Sequence, residues 1–352
     1  SRGLSAKDEE GEIMLDERKR LVLRAIIDNY IETAEPVGSR TIARKHDLGV
    51  SPATIRNEMA DLEETGYLQQ PHVSAGRVPS DKGYRFYVDA LMEPYIFPGQ
   101  ELQRLRDEIA HAQLTPEHSI HAAARLLALL TQSVSLIVAP STDQLVFKHL
   151  QLVALEDTGI LVTLVLHPGI VKNRLIRTKR DYSPEQIADL STALNQKLKG
   201  ITYRELGPTV FTEVIRDFGE IGKALVELIL QGLAEDKGEQ VYASGTVNIL
   251  SQPEFRDVDR AIALFEALEE KEQLKSLLGG AAKSSGVQVA IGHENVSTVM
   301  QGCSLVTCTY YVGNDVVGTI GVIGPTRMDY AKVMAAVDMV SDSLSAFLTE
   351  KK

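Results

Sequence analysis

Between Leu15 and Met92 the stop signals come so often that only short helices fit between them. Asp16 is placed to cap a first helix, in which Leu23, Ile26, Ile27, Tyr30 and Ile31 recur at helical spacing. Glu35-Pro36-Val37-Gly38 ends it, because proline disfavours helix at the residue before it. A second helix is predicted from Ser39 to about His46, with Ile42 and Ala43 inward. After the turn Asp47–Val50, Ser51-Pro52 opens a third, since serine is a favoured cap and proline a favoured first helical residue. Its Ile55, Met59 and Leu62 fall at i, i+4 and i+7 and form one apolar stripe, and Gly66 is a natural stop. Tyr67–Gln70, the loop Pro71–Gly76 and Arg77-Val78 read as a short hairpin, and Ser80 caps a fourth helix from Asp81 to about Met92.

Helix, helix–turn–helix and hairpin in this order are the winged-helix layout of DNA-binding domains. On the third helix Ala53, Thr54, Asn57, Ala60 and Asp61 point away from the stripe, with Arg56 beside them. Small residues let a helix approach base edges, Asn57 can pair with adenine, and Arg56 can pair with guanine or a phosphate. The helix start at Ser51 offers free N–H groups and partial positive charge to a phosphate. Ser39, Arg40, Thr41 and Arg44 open the preceding helix and are candidates to hold the DNA backbone. Ser74 and Arg77 are the candidates from the wing. The same layout also serves as a protein-docking module, so the pattern alone leaves that reading open.

The rest alternates helices with strands, an α+β pattern with an antiparallel sheet. Helices are predicted over Leu102–Gln113, Glu117–Gln132, Pro184–Leu198, Phe211–Leu233, Val258–Leu278 and Met328–Leu348. Strands are predicted over Leu136–Ala139, Leu145–Leu155, Ile160–Leu166, Val171–Arg177, Val241–Leu250, Val287–Ile291, Ser304–Val312 and Val316–Ile323. Tight turns are predicted at Asp157-Thr158-Gly159 and Gly313-Asn314-Asp315.

The net charge of −11 argues against a partner that is a polyanion. Its distribution weakens that objection. Residues 36–87 hold 7 Lys/Arg against 6 Asp/Glu, while residues 91–352 hold 24 against 32. Two cysteines do not make a disulfide framework, and in a strand Cys303 and Cys308 would lie on opposite faces. The first ten residues have no apolar core of a signal peptide, and no run is long enough to span a membrane, so a cytoplasmic protein is expected.

Tempting catalytic signals are thin. His293-Glu294 lacks the second histidine of a His-Glu-x-x-His site, so no metal is expected there. Gly318, Gly321 and Gly324 do not form a phosphate loop and suit close packing in a sheet. No Walker motif and no Gly-x-Ser-x-Gly elbow occurs, so neither an enzyme nor a bound cofactor is expected.

The tracts Tyr30–Thr41, Leu48–Glu63 (with Ser51-Pro52-Ala53-Thr54-Ile55-Arg56-Asn57-Glu58-Met59) and Gln70–Arg85 resemble the HrcA family of heat-inducible transcription repressors. So do Gly292–Asn295, Cys303–Thr307 and Gly318–Tyr330. The resemblance covers about residues 15–350 and is least distinctive over about 175–250. It implies a winged helix followed by a GAF-like antiparallel-sheet domain carrying an inserted, largely helical dimerisation domain. It further implies a homodimer on double-stranded DNA at an inverted-repeat (CIRCE) operator, and an activity maintained by the GroEL chaperonin. The two-fold symmetry of such an operator would match the dimer. The expected division is a flexible tail at 1–14, the winged helix at 15–92 and a linker helix at 93–117. The GAF-like domain follows at 118–180 and 251–352, with the inserted domain at 181–250. Control by a small molecule in the GAF-like domain is the alternative.

Overall fold

The computed structural model describes residues 15–350 apart from 73–74, 112–115, 140–145, 156–158, 168–169, 180–181, 203–204, 206–207, 236–240, 271–273, 275–277, 279–285 and 314. The expected tail at 1–14, Ser74, the turn residues Asp157, Thr158 and Asn314, and much of the helix expected after Glu269 lie outside the described residues.

Three helices open the fold: α1 (Glu17–Thr33), α2 (Ser39–Lys45) and α3 (Pro52–Glu64). A hairpin follows, β1 (Leu68–Gln69) with β2 (Val78–Pro79), and then α4 (Asp81–Phe86), which continues as a π-turn over Tyr87–Leu91. The caps are those the sequence offered. Asp16, Ser51 and Ser80 accept from the N–H groups of Lys19, Thr54 and Gly83, each satisfying an otherwise orphaned donor. Ile26, Ile42, Ile55, Leu62 and Tyr84 are fully enclosed between these helices and what packs on them.

Downstream, α5 (Gly99–His111) and α6 (Pro116–Thr131) lead into β3 (Val134–Val138). β3 joins a five-stranded antiparallel sheet in the order β7-β3-β10-β9-β8. Its other strands are β7 (Val241–Ser244), β8 (Gln288–Ile291), β9 (Cys303–Val312) and β10 (Asp315–Pro325). One face carries Ile137, Val306, Cys308, Tyr310 and Ile320 against α6 and the last helix, α11 (Tyr330–Glu350). The other carries Leu136, Cys303 and Leu305 against α9 (Thr246–Leu250) and α10 (Val258–Glu269). Period-two alternation therefore puts the two free cysteines on opposite faces, both buried. Gly318 sits at a bulge where an added Cβ would strike the Val138 carbonyl and the Tyr310 ring, so close packing requires glycine.

Between β3 and β7 the chain builds a second unit: β4 (Val146–Ala154), β5 (Gly159–His167), β6 (Ile170–Arg177), α7 (Pro184–Leu198) and α8 (Pro208–Glu235). β4, β5 and β6 pair only with one another among named strands and form a meander. Their inward row, including Leu152, Val162 and Leu164, packs on Ile187 and Leu194 of α7 and on Ile221 and Leu225 of α8. At the bulge between Phe147 and His149, Asn195 receives the Leu150 N–H and donates back to its carbonyl. This revises the expected division. Strands 146–177, placed with the GAF-like part at 118–180, share a core with the helices beyond them. The inserted unit is thus mixed rather than largely helical. Residues 241–244, placed within it, belong instead to the large sheet. The strand expected to run from Val241 to Leu250 stops at Ser244 because Gly245 turns left-handed (φ 75°) and starts α9.

The winged helix is docked on the large sheet's side of the molecule. Asp81 accepts from the backbone N–H of His293 (2.9 Å) and faces its Nδ1 (2.6 Å). The Arg85 guanidinium grips the Glu294 carboxylate, at 2.8 Å through Nε, and donates to the Val289 carbonyl at 2.6 Å. Burial opposes ionisation of Glu294, but Arg85 and the Ile291 N–H hold its carboxyl below the ordinary range. Arg327 bridges Glu254 (2.6 Å), Gln252 (3.0 Å) and the carbonyl of Ile31 at the end of α1 (2.8 Å). Tyr84 lies against Tyr330, ring centroids 5.8 Å apart, and among the described residues its buried hydroxyl has no hydrogen-bond partner.

Candidate nucleic-acid interface

The outward face of α3 is built from behind. Ile55, Met59 and Leu62 anchor the helix in the core, which turns Ala53, Arg56, Asn57 and Ala60 to the exterior. Ser51 caps its start, with Thr54 Oγ1 3.0 Å from the Ser51 hydroxyl. On the rear flank Lys19 of α1 lies 3.1 Å from both Glu58 and Asp61. Burial works against its charge, but these carboxylates and Asp16 hold the Lys19 ammonium above its ordinary range. The brace fixes the orientation of α3 without using Arg56 or Asn57. The sequence reading missed Lys19, because its partners lie on a helix about forty residues away and no local spacing joins them.

The cations expected to meet DNA fall into two classes. Arg40, Arg44 and Arg56 are exposed, and among the described residues none forms an ion pair. Arg44 makes one long contact to the Arg40 carbonyl (3.4 Å). Arg77 is different. Its Nε and Nη2 lie 2.8 and 2.7 Å from Glu63 at the end of α3, and its backbone pairs in both directions with Val37. It therefore ties the wing to α3 through an ion pair that is itself half-exposed. Ser39 is also repositioned. It is buried, so Arg40 and Arg44, with the half-buried Thr41, form the exposed rim of α2. On α3 and its cap, Ser51, Ala53, Arg56 and Asn57 are exposed and Thr54 is half-buried, while Ser74 lies outside the described residues.

Among the described residues there is no group of three or more His, Cys, Asp or Glu suited to a metal. No described helix is long and apolar enough to cross a membrane.

Residues 117–334 match the model of the HrcA protein C-terminal domain. The chain is 40% identical to the heat-inducible transcription repressor HrcA of Desulforamulus reducens, over 95% of this chain and 97% of that protein. The chain belongs to the HrcA family of heat-inducible transcription repressors. The HrcA repressor of Geobacter sulfurreducens is 42% identical over 95% of this chain and 98% of its own, and that of Brevibacillus brevis 40% over 96% and 99%. Among solved structures, the crystal structure of a hypothetical protein at 2.2 Å resolution is similar with a TM-score of 0.69 and 25% identity. That match covers 96% of this chain and all of the other. The matched HrcA region thus includes both the large sheet and the unit spliced into it.

Proposed function

We propose that this HrcA chain represses heat-shock chaperone operons by binding an inverted-repeat operator of the CIRCE type as a homodimer, one α3 in the major groove of each half-site. The observation that carries the reading is the row Ala53, Arg56 and Asn57. It is exposed, free of ion pairs among the described residues, and backed by Lys19 and the apolar stripe behind it. A rigid helix with small and bidentate residues outward is what base readout in the major groove requires. Arg40 and Arg44 supply the backbone contacts that fix register. Self-association has support in the outer face of the β4–β6 meander, where Val153, Val171 and Leu175 are exposed. Maintenance of the active form by the GroEL chaperonin completes the reading and rests on the family alone.

Control by a small molecule is a second reading. It is favoured by a cavity of about 480 Å³ between residues 92–97, α5 and α11, lined by Phe97, Leu102, Met334 and Met339 with Arg106 and Asp338.

A salt-titrated gel shift on an inverted repeat and a scrambled control tests the main reading. Tight binding only to the repeat, with two chains per duplex and a steep salt dependence, is the expected result. Equal binding to both duplexes would sink sequence-specific readout.

A further inference from the structure

The contacts joining α4 and α1 to the C-terminal part of the chain involve none of the exposed residues of α3. Asp81 and Arg85 lie one turn apart on α4, and both reach the single turn Gly292–Glu294. That turn is shaped to receive them. Gly292 is left-handed (φ 50°), and an added Cβ there would collide with the Asp81 carboxylate. Glu294 is held on two sides, by Arg85 and by the N–H of Ile291 (2.8 Å). Arg327 forms a separate anchor on the last turn of α1. Two anchors on different helices remove the freedom to rotate that one would leave.

We infer that Asp81 and Arg85, clasped by His293 and Glu294, are positioning residues that set how the recognition helix is presented and so which half-site spacing the repressor accepts. This rests on the proposed dimeric reading of an inverted repeat. The reading face is uncovered while the clasp is closed. It does not block the face. A dimer binds two half-sites strongly only if both helices meet their grooves together, and a loosened joint lowers the effective concentration of the second helix.

The test uses the full chain with Arg85→Ala or Glu294→Ala. Spin labels go on Glu64→Cys at the end of α3 and on Val296→Cys, which is fully exposed; Cys303 and Cys308 are buried. Labelled chain is diluted in unlabelled chain, so that distances within one protomer are read. The clasp predicts one narrow distance in the parent and a broad distribution in both variants, with the double variant no broader than either single. DNA binding is then measured on an isolated half-site and on repeats of stepped spacing. Half-site affinity should be unchanged. The preference for the best spacing should fall about tenfold, as weakened avidity requires. An unchanged distance distribution, an unchanged spacing preference, or a gain in operator affinity would each overturn the clasp. A parent protein that binds half-site and repeat alike would instead overturn the dimeric operator reading, with the label distances still reporting whether the joint is held.

Discussion

The winged helix enters the molecule at its N-terminal end, yet its core is continuous with that of the large sheet. Ile26, Leu62 and Tyr84 belong to one buried cluster with Tyr330, Val337 and Val340 of α11. The central unit is spliced between two neighbouring strands of that sheet, yet Leu152, Leu164 and Leu225 belong to a core of their own. Closeness along the chain therefore says little about which parts move together. Apolar surface removed from water is worth roughly 25 cal/mol per Å², so units are coupled in proportion to the surface they hide from water jointly. For a regulator this sorts the parts. A disturbance of α11 or its sheet falls in the cluster that the winged helix shares, while one in the central unit falls outside it.

Mutations can break that contrast. The largest effect is expected for Tyr330→Ala. It empties a fully buried site and removes the hydrogen bond to Ser304, at a cost of about 3–5 kcal/mol. Hydrogen exchange should accelerate in α4 as well as in β9, and an effect confined to the sheet would refute the shared core. Leu164→Ala should cost about 2–5 kcal/mol, with faster exchange restricted to 146–226. Equal acceleration in α1–α4 would erase the distinction between the two regions. Arg56→Ala should lose about 1–3 kcal/mol of operator affinity and relax selection at one base pair, with no change in melting temperature. Arg77→Ala should do the reverse, loosening the wing in thermal melts while the salt slope of binding stays put. Ser51→Ala should cost about 1 kcal/mol through the lost cap, read as a lower denaturant midpoint. The smallest effect belongs to Tyr84→Phe. It removes a hydroxyl with no described partner, so stability should be unchanged or raised by at most about 1 kcal/mol. A loss of that size would show that the hydroxyl does have a partner.

The winged helix was readable residue by residue because its signals are local. Asp16, Ser51 and Ser80 cap within three residues of themselves, and the stripe Ile55, Met59 and Leu62 lies within two turns. The central unit was readable as strands and helices but not as a unit. Alternation tells which side of β5 is buried, but not whether α6 or α7 buries it. The ion pair of Arg77 was hidden for the same reason. An arginine beside Gly76 at a hairpin suits a phosphate, and only the fold brings Glu63 under it. The clasp was invisible in principle, since Arg85 and Glu294 stand more than two hundred residues apart. His293-Glu294, set aside as a metal signal, turns out to hold α4.

The pairing of Val138 with Val241 has a consequence for how the chain reaches this structure. The two strands cannot zip together until roughly a hundred intervening residues have been gathered in, and the entropy of closing so long a loop falls on that step. If the central unit condenses first around its separate core, its ends are already brought close and the closure becomes short. The spliced unit would then act during biosynthesis as an internal scaffold. It would be the first part to finish after the winged helix leaves the ribosome, and it would decide when the large sheet can close.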